Sequence, residues 1–376
     1  TRVRSSAASD VYKRQLFQET KDRGGEGDAL IYLGRVCQSM RRYREALRYF
    51  EDSLTITREL GDRAIEAITL RDMGIVYHSM GRYKEALQHY QDSLKIASAL
   101  GNRAGEANAL GNIGMVYQST GRPKEALQQY EMILKIFREL GDRVGEARTL
   151  HNIGSVYESL GQYDEALRHY QSNLQLARTR KDRDREAGTL TDIGIVYEAT
   201  GRYPESLRHY EGCLKITREL GDRDWEARTL HNIGTICRKT GRYTEALRYF
   251  EDSRKIAHAL GNRVEEAETL DSIGNVYLAT GRYAVALRSH QDALKIARAL
   301  GKPVLEASTL GNMGNVYQST GRYDEALRHY QDSLKIERAR WETGPWKPTR
   351  WATSAPSINP RADTSKPCGT TTAICK

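Results

Sequence analysis

A motif of 40 residues returns eight times in this 376-residue chain without an insertion, and its fixed points align in columns. Leu30, Leu70, Leu110, Leu150, Leu190, Leu230, Leu270 and Leu310 form one column, Gly34 through Gly314 a second, and Leu47 through Leu327 a third. A period of this length builds a stacked array in which each unit contacts only its neighbours, not one closed core. An enzyme is not expected from it.

The third unit, Gly101 to Leu140, shows the pattern in full. Ala107, Leu110, Ile113, Gly114, Val116 and Tyr117 recur at three- and four-residue spacing, the mark of a helix with one buried face. Gly121 ends this helix A, because a residue without Cβ enters the left-handed cap conformation at little cost. A second stripe, Ala126, Leu127, Tyr130, Ile133, Leu134 and Ile136, marks helix B. Gly141 stops helix B, and Asp142 is placed to cap the next helix A. Glu stands at the sixth place of every unit, Glu26 to Glu306, where the helix dipole favours an anion. Each helix should run about 16 residues, roughly 24 Å. Small residues in the Gly34 and Ala46 columns should let the paired helices approach closely.

These residues resemble the tetratricopeptide repeat (TPR) family. Leu110, Ile113, Gly114, Tyr117, Ala126, Tyr130 and Ile133 follow its signature in order and spacing, and the match covers residues 21–340 in eight units starting at 21, 61, 101, 141, 181, 221, 261 and 301. One departure stands out. The family's usual unit is about 34 residues and has Pro closing helix B, whereas this unit is longer and carries Arg138 or similar there. Longer units of this kind are similar to the arrays of kinesin light chains, LGN/Pins adaptors and bacterial signalling proteins. The resemblance implies an all-α, right-handed superhelical solenoid whose concave groove, lined mainly by A helices, holds an extended peptide or a partner helix.

The ends depart from the period. Ser5 to Gln15 back-translates to a transposase adaptor used in preparing sequencing libraries, so residues 1–15 read as a non-native leader and 16–20 as the remnant of a preceding helix B. From Trp341 the composition turns Pro- and Thr-rich, which as written is disordered sequence. Shifted by one nucleotide, the degenerate codons of 341–376 can encode Asn-Ile-Gly-Ala-Val-Tyr-Gln-Ser-Thr-Gly-Arg-Tyr in register, a frameshifted ninth repeat. Of the formal +9, Arg2, Arg4, Lys13 and Arg14 against Asp10 place +3 in the leader, and the tail holds another +3. The array keeps +3, too little to suggest nucleic acid or an anionic membrane.

Cys37, Cys213 and Cys237 sit at buried helix positions and read as free thiols of a reducing, cytoplasmic setting, with no disulfide or zinc spacing. No apolar run approaches a membrane span. His89, His169, His209 and His329 share one column of helix B with no converging ligand partner, so they read as packing residues, and no cofactor or metal is expected. No catalytic constellation is present.

What varies carries the candidate recognition. The changing columns of helix A include Arg71, His151, His231 and Gly311 in one place, Arg148 and Arg228 in another, and Asn275 and Asn315 in a third. Between them runs a polar column with Asn112, Asn152, Asn232 and Asn312. Asn offers donor and acceptor together, so a ladder of them can hold the backbone of an extended peptide, or simply bridge neighbouring helices. Arg148, His151 and Asn152, repeated as Arg228, His231 and Asn232, suggest a groove that prefers acidic groups, since Arg grips a carboxylate bidentately. The expected function is a protein-interaction scaffold; the alternative is the sensing arm of a larger signalling or transcription protein.

Overall fold

The computed structural model describes residues 22–343, with side chains through residue 340. The expected leader and helix remnant lie outside these residues, as does the expected ninth repeat apart from 341–343, which continue the last helix. Sixteen helices fill the described chain. The A helices are α1 (Arg23–Ser39), α3 (Arg63–Ser79), α5 (Arg103–Ser119), α7 (Arg143–Ser159), α9 (Arg183–Ala199), α11 (Arg223–Lys239), α13 (Arg263–Ala279) and α15 (Pro303–Ser319). The B helices are α2 (Tyr43–Leu60), α4 (Tyr83–Ala99), α6 (Pro123–Leu140), α8 (Tyr163–Thr179), α10 (Tyr203–Leu220), α12 (Tyr243–Leu260), α14 (Tyr283–Ala299) and α16 (Tyr323–Thr343).

Each A helix pairs with its own B helix, and each B helix packs on the following A helix. A helices also touch one another directly from repeat to repeat, as α1 with α3 and α11 with α13. The A side is therefore the inner side of the stack. Asp62, Asn102, Asp142, Asp182, Asp222 and Asn262 cap the A helices by accepting from the amide three residues on. The B helices from α2 to α14 have no side-chain cap. Instead an Arg precedes all but one of them, where Gln162 stands, and several are pinned: Arg82, Arg122 and Arg202 lie 4.5–4.7 Å over the rings of Tyr77, Tyr117 and Tyr197 and pair with Glu85, Glu125 and Glu205.

The close approach inside each hairpin has one recurrent contact. A Cβ on Gly74, Gly154 or Gly194 would meet the ring of Tyr90, Tyr170 or Tyr210 at 2.5 Å, so only glycine admits the ring. Phe50 and Phe250 take the same place against Gly34 and Gly234, and His290 takes it against Gly274. His290 is fully buried and its Nδ1 lies 2.6 Å from Asp271 Oδ1, a polar solution to a slot that otherwise holds Tyr or Phe.

The Glu column is more than a dipole effect. Glu146 is buried, and its two oxygens accept from Arg138 Nε at 2.9 Å and Arg143 Nη1 at 2.7 Å. Arg178 and Arg183 grip Glu186 in the same way, and Arg58 and Arg63 grip Glu66. Arg at the end of helix B thus ties that helix to the next A helix, which gives a physical reason for its standing where the shorter unit has proline. The helix-reversal glycines hold φ near +70°, and where the column carries Arg41 or Lys181 the backbone keeps the same left-handed turn, at φ 59° and 56°.

Candidate functional site

Three adjoining clefts run along the inner face from the fourth repeat to the eighth. The first, of about 350 Å³, lies among His151, Asp184, Arg185, Gly188, Asp192 and Trp225. The second, of about 460 Å³, shares Gly188, Asp192 and Trp225 with it and adds Arg228, His231, Asn232, Glu265 and Glu268. The third, of about 520 Å³, shares His231 and Glu268 and continues past Asp271 and Ser272 to Val304 and Ser308. Together they form one groove floored by α7, α9, α11, α13 and α15.

The polar ladder divides in two. Asn112, Asn152 and Asn232 are half-buried and make no side-chain hydrogen bond among the described residues. Elsewhere the same column bridges helices. Asp72 accepts from Arg35 Nε at 2.6 Å and from Arg71 Nη2 at 2.8 Å. Asp192 lies 2.9 Å from His151 Nδ1, Ser272 Oγ 3.3 Å from His231 Nε2, and Asn312 Nδ2 donates to Asp271 Oδ2 at 2.7 Å. Of the third column, Asn275 is half-buried and makes no side-chain hydrogen bond among the described residues, whereas Asn315 Oδ1 accepts from Tyr330 at 2.8 Å.

The expected grip on acidic groups does not assemble. Arg228 Nη2 is already bound to Asp224 Oδ2 at 2.5 Å, one helical turn away. His151 is held by Asp192, whose hydrogen bond raises its pKa. Burial pushes His231 down to about 4, so at neutral pH it carries no charge, and its Nδ1 lies 3.1 Å from Thr269 Oγ1. Arg71 is paired with Asp72, and among the described residues only Arg148 of the expected cations stands exposed without a partner. Around the three clefts, Asp182, Asp184, Asp192, Glu265, Glu268 and Asp271 outnumber Arg185, Arg228 and Lys302. The groove is acidic.

Sequence reasoning also passed over Trp225. It stands in a column that changes along the array, as does Gly188 in the repeat before, and the indole edge lies 3.4 Å from where a Cβ on Gly188 would stand. The histidine column packs as expected, with His89 stacked on Tyr77 at 5.1 Å and His169 on Tyr157 at 5.5 Å. Cys37, Cys213 and Cys237 are buried free thiols. Among the described residues no cluster of His, Cys, Asp and Glu suits a metal ion, and no helix is long and apolar enough to cross a membrane.

The tetratricopeptide repeat model matches residues 25–99, 105–179, 185–259, 227–299 and 265–339. The chain belongs to the tetratricopeptide repeat family. No curated protein matches it in sequence. Solved TPR-like structures share the fold at low identity. Aspartyl phosphate phosphatase F from Bacillus subtilis is 12% identical over 89% of this chain and 91% of its own, with a TM-score of 0.61. A Signal Transduction ATPase with Numerous Domains protein with a tetratricopeptide repeat sensor, from Pyrococcus horikoshii, is 14% identical over 89% of this chain and 53% of its own, also at 0.61. A Rap protein complexed with Competence and Sporulation Factor is 14% identical over 90% and 99%, at 0.52. At these identities what is shared with the TPR array is the path of the chain.

Proposed function

We propose that this TPR array is a protein-interaction module that holds an extended peptide along its inner face. The observation that carries the reading is the set of unpaired amides of Asn112, Asn152 and Asn232, which occupy one position of α5, α7 and α11. Each can donate to a ligand carbonyl and accept from a ligand amide, whatever the ligand's side chains. The groove beside Asn232 extends through the clefts described above, long enough for several residues. That the Rap protein was solved complexed with Competence and Sporulation Factor supports a ligand-holding role for a TPR stack of this path.

The test is a selection of random twelve-residue peptides against the array, followed by affinity measurement on Asn112→Ala, Asn152→Ala and Asn232→Ala combined. At a net ~1 kcal/mol per hydrogen bond, the triple variant should bind selected peptides about 100-fold more weakly with unchanged helicity. Unchanged affinity, or no selectable peptide, overturns the reading. The match to just over half of a longer protein that carries a TPR sensor favours a second reading, in which the array is the sensing arm of a larger signalling protein.

A further inference from the structure

The second cleft has an unusual charge account. Arg228 is neutralised by Asp224, whose other oxygen accepts from Asn262 Nδ2 at 2.7 Å. Asp192 is engaged by His151. Two carboxylates are left, Glu265 and Glu268, on the wall facing Trp225. Glu265 is only 9% exposed, yet its carboxylate accepts no hydrogen bond among the described residues. Its nearest charged-type neighbour is His231 Nδ1 at 3.6 Å, which is beyond hydrogen-bonding distance and already engaged by Thr269. Burial first, and then the charge of Glu268, push the Glu265 carboxyl up to about 7. A buried carboxylate costs free energy unless something pairs with it, and the buried Glu66, Glu146, Glu186, Glu226 and Glu266 of the same helix turn each pair with an arginine.

We propose that the cleft between α9, α11 and α13 is a receptor for a guanidinium group, the side chain of an arginine in the bound peptide. The planar cation would lie against the Trp225 indole, which Gly188 leaves room to settle, and turn its forked donors to Glu265 and Glu268. The cation supplies the charge that the fold withholds from Glu265. A ligand carboxylate in the same place would meet two like charges. This rests on the peptide-groove reading above and assigns that groove one side-chain preference.

The full chain carrying Trp341→Phe, Trp346→Phe and Trp351→Phe leaves Trp225 as the single indole reporter. N-acetyl-arginine amide, N-acetyl-citrulline amide and N-acetyl-glutamate amide are titrated at pH 8 while the Trp225 indole N–H resonance is followed. The arginine probe is expected to saturate in the millimolar range, at least tenfold tighter than citrulline, with no saturable response to glutamate. Glu265→Gln with Glu268→Gln should reduce arginine to the citrulline level while circular dichroism stays unchanged. Equal binding of arginine and citrulline, preference for glutamate, or undiminished arginine binding by the double variant overturns the proposal. If arginine preference fails while asparagine-dependent peptide capture persists, the cation receptor falls and the groove reading stands.

Discussion

Gly194→Ala and Gly311→Ala are the same chemical change on the same kind of helix, and the structure assigns them opposite signs. Gly194 lies in α9 against Tyr210, and an added Cβ would stand 2.5 Å from ring atom Cε1 and 2.8 Å from Cδ1. The ring cannot swing aside, because Tyr210 is fully buried and its hydroxyl donates to Glu198 Oε2 at 3.1 Å. Overpacking of this kind costs about 1–3 kcal/mol, and the better helix propensity of alanine returns about 1 kcal/mol. The net is a loss of up to about 2 kcal/mol with the two hairpin helices pushed apart. Gly311, in α15, has no atom within 4 Å of its added Cβ, so the propensity term acts alone and the variant gains up to about 1 kcal/mol. Urea unfolding followed by ellipticity at 222 nm reads both, and hydrogen exchange should localise the Gly194→Ala loss to the fifth repeat and its neighbours. If Gly194→Ala is as stable as Gly311→Ala, the glycine column does not exist for the ring, and the packing argument fails.

Arg41→Gly and Lys181→Gly each relieve a left-handed residue that carries a Cβ, at φ 59° and 56°; each should stabilise by about 1 kcal/mol, read as a rise in urea midpoint. Glu265→Gln removes a carboxyl whose folded pKa, about 7, lies above its ordinary 4.5. The charged form is the one the fold disfavours, so this group's contribution to stability is full below pH 4.5 and is lost as pH rises through 7. The variant should therefore gain on the wild type across that window, by at most about 3 kcal/mol at pH 8, and the two should converge at pH 4; a gap that does not depend on pH would refute the burial argument. Proton NMR titration should find His151 above 6.5, because of its hydrogen bond to Asp192, and His231 near 4, because of burial. Asp192→Asn should lower the first and leave the second in place.

Both helices of the unit, the caps of the A helices and the packing role of the histidine column could be read from sequence, because each depends on residues within one unit or on strict periodicity. The need for small residues in the Gly34 column was legible too, although the partner ring, sixteen residues on, was not. The role of Arg138 was hidden because its partner Glu146 belongs to the next unit and becomes a neighbour only when helix B turns back onto the following helix A. The groove was misread in its charge. Arg228 has Asp224 at an i,i+4 spacing that sequence alone displays, so that pairing was available; the engagement of His151 with Asp192, 41 residues away, required the stacking geometry. Trp225 and Gly188 stand in columns that vary along the array, so nothing in the sequence marked them as a pair; their contact, 37 residues apart, required the stacking geometry.

The glycine-to-ring contact, made on the same terms in successive units, gives the chain a translational symmetry of 40 residues. Recombination that exchanges, adds or removes a whole unit preserves every hairpin and every junction, so the length of the array is free to drift while its stability per unit does not. Recognition has no such freedom. The Trp225 indole settles over Gly188 at one junction only, and an unequal crossover between those two units would leave a well-folded protein that no longer has its cleft.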